Sequence, residues 1–140
     1  MTDRSFVDTN VWVYTVDASE PQKQSRARAI LEPDAGKDLV ISAQVLGEFF
    51  VTVTRKFARS VPEGEAHAMV DRMARLPVVP IDAGLVTAAI AASREWQISY
   101  WDALILSAAE MSGCRTVLSE DLSDGATYGS VTVEDPFRAG

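Results

Sequence analysis

Four short, largely β-branched apolar runs constrain this chain more than any other feature: Ser5-Phe6-Val7, Leu39-Val40-Ile41, Val78-Val79-Pro80-Ile81 and Thr116-Val117-Leu118. Each is too short for a comfortable helix. They recur about 30–40 residues apart, which leaves enough chain for a helical crossover between parallel strands. The segments between them carry the matching helical signals. Over residues 42–58, Val45, Leu46, Phe49, Phe50, Val53 and Phe57 repeat at three- and four-residue spacing behind Ser42, a good N-cap residue. Further helices are expected over residues 20–31, 63–76, 82–96 and 101–112, with Gly113 ending the last. After Asp121 the chain is rich in turn formers, and Val131-Thr132-Val133 before Pro136 predicts a short edge strand. The pattern therefore predicts an α/β fold with a central parallel β-sheet of four to five strands flanked by helices, in a single domain over residues 1–140.

Composition narrows the chemistry. With 47% hydrophobic and 24% charged residues over 140 positions, the chain has the make-up of one soluble domain. Its longest nearly apolar stretch, residues 83–92, is broken by Gly84 and Thr87 and falls short of the roughly 20 residues a membrane span requires. The first residues lack the basic start and long apolar middle of a secretory signal. The expectation is a cytoplasmic protein without membrane contact.

Cys114 is the single cysteine and His67 the single histidine. An intrachain disulfide, a cysteine-based zinc cluster and a two-histidine metal motif are thereby excluded. A Ser-His-Asp or Cys-His site would have to recruit His67 from the charged stretch 63–72. Chemistry on this chain must rest on carboxylates, whose natural companion is a hard cation, Mg²⁺ or Mn²⁺.

The net charge of −7 argues at first sight against nucleic-acid binding. Ten of the 13 basic residues, however, are arginines, and several bases cluster, as Lys23, Arg26 and Arg28 or Arg55, Lys56 and Arg59. Solvated helix faces are the simpler explanation of those clusters.

Four acids stand out by position. Asp8 follows the first strand at its carboxyl end, where open parallel sheets place ligands, although it or Asn10 would equally cap the next helix. Glu48 sits between apolar residues near the edge of a buried helical stripe, where an unpaired charge is costly; an ion pair with Arg55 is the structural alternative. Asp102 begins an apolar helix, with Ser99 at capping-box spacing. Asp121 leaves the fourth strand at the same sheet edge as Asp8, or else serves a turn. Helices starting there would bring Glu48 and Asp102 beside the two aspartates. Two like charges 4 Å apart repel by about 4 kcal/mol at an effective dielectric of 20, so gathered carboxylates imply a cation or raised pKa values.

Phe6-Val7-Asp8-Thr9-Asn10-Val11, Ile41-Ser42-Ala43-Gln44-Val45-Leu46-Gly47-Glu48-Phe49, Tyr100-Trp101-Asp102-Ala103-Leu104-Ile105 and Leu118-Ser119-Glu120-Asp121-Leu122 stand in this order along the chain. In that order they resemble the PIN-domain ribonucleases, specifically the VapC-like toxins of prokaryotic toxin–antitoxin pairs. The resemblance covers residue 5 to about 135. It implies a PIN-like fold and a divalent-metal site, Mg²⁺ or Mn²⁺, at Asp8, Glu48, Asp102 and Asp121, with Asn10 and Ser119 in supporting positions. Asp8 and Asp102 match direct ligands, and Glu48 would help position metal and water. Asp124 and Glu120 compete with Asp121 for the fourth place. The implied reaction is attack of metal-activated water on an RNA phosphodiester, leaving a 5′-phosphate and a 3′-hydroxyl.

The implied partners are an RNA substrate (tRNA, rRNA or mRNA), a cognate VapB-like antitoxin and a second copy in a homodimer. Val11-Trp12-Val13-Tyr14 would line the antitoxin groove or pack in the core, as would Met69 and Met73. A haloacid-dehalogenase-like phosphohydrolase would need a second aspartate where Asn10 stands and a late lysine, but the lysines are Lys23, Lys37 and Lys56. A receiver-like module fails the same way. From another functional class, a non-catalytic PIN-like RNA- or protein-interaction module keeps the fold without the reaction.

Overall fold

The computed structural model describes residues 3–56 and 60–138. Strand β1 (Arg4–Val7) leads into a one-and-a-half-turn helix α1 (Thr9–Tyr14), and α2 (Pro21–Ile30) starts at Pro21, whose fixed φ and missing N–H suit a first helical turn. A 3-10 turn at Pro33–Ala35 precedes β2 (Asp38–Ser42) and α3 (Ala43–Val51). There follow α4 (Glu63–Met73), β3 (Val78–Val79), α5 (Ala83–Trp96), α6 (Tyr100–Met111), β4 (Thr116–Leu118), β5 (Thr127–Tyr128) and β6 (Val131–Glu134).

The sheet runs β3-β2-β1-β4-β6-β5 and is parallel except for the last pair. Its strand order reverses beside β1, which is hydrogen-bonded to β2 on one side and β4 on the other. Ligand sites in open α/β sheets lie outside the carboxyl ends of strands at such a switch point. Here the register Val7↔Leu118 brings the residues that follow β1 and β4 side by side.

Helices cover the sheet in two groups. Neighbours α1, α2, α3 and α4 pack on one another, while α5 packs on α6, which crosses β2, β4 and β6. Residues 103–109 of α6 are all buried, and with Phe6, Val7, Ile41, Val117 and Val133 they form the centre of the core. Among the described residues no helix is long and apolar enough to cross a membrane.

Several sequence expectations are corrected. The sheet has six strands, because Thr127–Tyr128 pairs antiparallel with β6 across a turn where Gly129 has φ 59°. Val131–Glu134 is therefore an inner strand, and β5 takes the edge. The third apolar run pairs only at Val78 and Val79, since Pro80 lacks the N–H that a continued ladder needs.

The helix expected over 42–58 keeps its Ser42 cap and its buried Val45, Phe49 and Val53, but turns π-helical over Thr52–Lys56. The Thr54 hydroxyl donates to the Phe50 carbonyl at 2.7 Å, the kind of back-bond that competes with regular helix hydrogen bonding. Phe57, Ala58 and Arg59 lie outside the described residues. Gly113 ends α6 with φ 79°, as its position predicted.

Leu106 is fully buried in α6. Leu106→Ala should cost about 2–5 kcal/mol, combining lost transfer energy with a residual cavity. Urea unfolding would show a lower midpoint at an unchanged slope.

Candidate active site

Everything at the site is built outward from Asp8. It is the residue after β1 and the N-cap of α1, so the sheet and the helix both fix its backbone. Its Oδ1 accepts from Thr9 N–H at 2.7 Å, while Oδ2 accepts from the Ser119 hydroxyl at 2.7 Å and from Asn10 Nδ2 at 3.3 Å. The cap, one of the alternatives from sequence, is present, and the carboxylate that makes it is also the one expected in the functional position.

Ser119, fully buried just past β4, also accepts from the backbone N–H groups of Asp121 and Leu122 through its Oγ. Asn10 completes the bracket, because its Oδ1 takes the Glu120 N–H at 3.0 Å. With its oxygen on an N–H and its nitrogen on a carboxylate, the amide has one consistent orientation. Both supporting residues expected from sequence therefore hold Asp8 to the β4 loop.

Asp8 is only 8% exposed. Burial pushes its pKa from the ordinary 3.8 up to about 6; the Ser119 and Thr9 hydrogen bonds oppose the shift, and the charges of Asp121 and Glu48 add to it.

Glu48 projects from α3, and its Oε1 accepts from the Thr9 hydroxyl at 3.0 Å. It is exposed rather than at the edge of a buried stripe, and it makes no ion pair with Arg55 among the described residues. Asp102 lies in the first turn of α6, where its N–H donates to Ser99 Oγ at 3.1 Å. The return bond of a capping box is absent among the described residues, which leaves the carboxylate uncommitted. Asp121 follows Ser119 in the β4 loop.

Asp8, Glu48, Asp102 and Asp121 line one open cleft of about 680 Å³. None of the four takes part in an ion pair among the described residues.

The three acids that compete for the fourth position differ in their partners. Asp124 receives the Asp135 N–H and Arg138 Nη1 and does not reach the cleft. Glu120 does line it, but accepts from Tyr14 Oη and Lys23 Nζ, each at 2.5 Å. Burial raises the Glu120 pKa, yet Lys23 and Tyr14 outweigh it and leave the group below its ordinary value. Glu120 is thus paired with a cation, whereas Asp121 lines the cleft without an ion pair among the described residues.

The Tyr14–Lys23–Glu120 cluster was missed in the sequence. Its members come from α1, α2 and the β4 loop, and no spacing rule joins them. Of the segment Val11-Trp12-Val13-Tyr14, Val11 is core, whereas Val13 and Tyr14 face the cleft.

One expectation needs correcting in degree: the four acids share a cleft, but among the described residues no three His, Cys, Asp or Glu side chains converge closely enough to form a ready-made metal cage. The donor set still fits a hard cation. Mg²⁺ is held by one or two carboxylates and keeps several waters, so it needs no three-carboxylate cage.

A search of curated protein sequences returns no match. The profile of the PIN domain family matches residues 5–123, and the chain belongs to that family. Solved structures with the same fold include a toxin–antitoxin complex from Klebsiella pneumoniae, at a TM-score of 0.72 and 16% identity, over 96% of this chain and 99% of the other. DNA-bound VapBC from Salmonella typhimurium gives a TM-score of 0.66 at 19% identity, over 97% and 99%. VapC20 from Mycobacterium tuberculosis, described as a toxin cleaving the sarcin–ricin loop, gives 0.57 at 20% identity, over 84% and 91%.

The raised Asp8 pKa has a definite sign for stability. Between about pH 4 and 6 the unfolded chain releases this proton while the native state keeps it, so metal-free stability falls as pH rises through that window. Asp8→Asn retains a capping side chain and should flatten the slope, raising metal-free stability at pH 7 by about 3 kcal/mol at most. Thermal melts of both proteins from pH 4 to 8 in EDTA check this.

Proposed function

We propose that the protein is a VapC-like toxin, a Mg²⁺- or Mn²⁺-dependent endoribonuclease of the cytoplasm that works as a homodimer and is held in check by a VapB-like antitoxin. The observation that carries the proposal is a single cleft lined by six carboxylates, of which Asp8, Glu48, Asp102 and Asp121 make no ion pair among the described residues, while Asp17 is held by Ser19 and Glu120 by Lys23. Asp8 and Asp102 would hold the metal directly, with Glu48 and Asp121 completing its surroundings. When bound, the ion lowers the pKa of a water and neutralises charge on the phosphoryl group.

The chain's own residues supply the positioning. Ser119 and Asn10 hold Asp8 Oδ2 in one orientation, so the carboxylate would be pre-positioned for a cation. Thr9 fixes Glu48 at Oε1, and we assign Oε2 the task of accepting a proton from the attacking water. Asp121 is tethered through its backbone N–H to Ser119 Oγ, so the acid after β4 and the acid after β1 share one anchor. Further support comes from the structural neighbours, which include toxin–antitoxin assemblies and an RNA-cleaving toxin.

Purified chain incubated with tRNA and ribosomal RNA should cut in Mg²⁺ or Mn²⁺ and stop in EDTA. Asp8→Asn and Asp102→Asn should each reduce cutting by at least about 100-fold, the lower end expected when a group essential to metal or proton chemistry is lost. Full activity in both variants would refute the assignment. If no cutting is seen and calorimetry finds no metal binding, the interaction-module reading takes its place.

A further inference from the structure

The cleft also holds features that the metal chemistry leaves unused. Trp101, beside Asp102, is 63% exposed and lines the cleft. Its ring meets Tyr100 in a T-shaped contact rather than a parallel stack, with centroids 4.9 Å apart and planes at 74°. A large aromatic ring exposed at the first turn of a helix whose middle, residues 103–109, is buried contributes little to the core. Behind it, Gln44 is 9% exposed and lines the same cleft; its Nε2 donates to the Trp101 carbonyl at 3.5 Å, and its buried Oε1 has no partner. An unsatisfied buried carbonyl is costly, on the order of 1–3 kcal/mol, unless a water or ligand supplies the donor. Lys56, from the π-helical turn, is the one basic residue among the described residues that line the cleft.

We infer that Trp101 is a stacking platform for one unpaired nucleobase beside the scissile phosphate, with Gln44 next to it and Lys56, further along the same helical run, meeting another phosphate of the strand. An aromatic face and an acceptor lacking a donor correspond to the face of a base and its N–H or sugar O–H donors, while an ammonium group about 18 Å further along the helical run, at 1.5 Å per residue, corresponds to a phosphate elsewhere on the strand. The nearby carboxylates favour this ligand over a protein partner, because the metal they would hold couples them to a phosphate. A base inside a duplex is already stacked on both faces, so the subsite selects loops and single strands. The inference rests on the nuclease reading and adds the form of RNA that the enzyme accepts.

The test uses the full chain with Asp8→Asn to prevent turnover, and measures anisotropy of a labelled RNA oligonucleotide, unpaired or locked in a perfect duplex. Expected is tighter binding of the unpaired form. Adding Trp101→Ala should weaken that binding about 5- to 150-fold, the range for losing one base–aromatic stack, and erase the preference, while Trp101→Phe should restore most of both. At 63% exposure the Trp101 substitutions do not threaten folding. Equal binding of paired and unpaired RNA, insensitive to Trp101, would overturn the subsite and leave the nuclease intact. If the same variant changed oligomeric state without touching RNA binding, Trp101 would be a protein contact and the inference would fail. Loss of cleavage in Mg²⁺ and Mn²⁺ by the otherwise unsubstituted protein, together with no RNA binding, would remove the underlying reading as well.

Discussion

The hydrogen bond from the Ser119 hydroxyl to Asp8 Oδ2 is the contact around which the site is organised. It joins the residue after β1 to the residue after β4, the two strands that flank the point where sheet order reverses. The parallel ladder prepares it, since Asp8 N–H already donates to the Leu118 carbonyl at 3.0 Å. Once the two strand ends are locked, Asn10 ties in Glu120, Ser119 ties in Asp121, and Thr9 reaches across to Glu48 on α3. Small polar side chains between the acids thus set the spacing of the carboxylates.

The arrangement stabilises the site at some cost to the fold. A carboxylate with 8% exposure and a pKa near 6 is partly desolvated without a countercharge among the described residues. Its three hydrogen bonds offset burial only in part, and the negative neighbours make matters worse. Such an imbalance is typical of functional sites, where charge is arranged for a ligand rather than for the empty protein. The contrast with Glu120 is instructive. That acid lies in the same cleft, yet Lys23 and Tyr14 satisfy it, and it serves to pin the β4 loop against α1 and α2.

Much of the fold was legible because its signals are local. Strand runs at Ser5–Val7 and Leu39–Ile41, caps at Ser42 and Ser99, and the stop at Gly113 each depend on a few neighbouring residues, and each is present. Part of what differs depends on partners distant in sequence, and part on local conflicts between signals. Strand β5 has two residues and exists because β6 lies beside it. The π-turn at Thr52–Lys56 arises where β-branched residues and the Thr54 back-bond meet, a conflict that hydrophobic periodicity does not register. The apolar neighbours of Glu48 predict a place near a buried stripe, but its side chain is exposed and lines the cleft.

The sequence by itself determined the chemistry available: one histidine and one cysteine left carboxylates as the only abundant functional groups, and the strand–helix pattern put Asp8 and Asp121 at carboxyl ends of strands. Tertiary structure alone decided which acids are uncommitted. Asp121 and Glu120 are adjacent in the chain and identical in charge, and only the arrival of Lys23 and Tyr14 from two other helices separates a structural acid from a candidate ligand. Ionic and hydrogen-bond partners act through space over a few ångströms, and the distance in space between residues 23 and 120 is written in the packing of the fold rather than in any local pattern of residues.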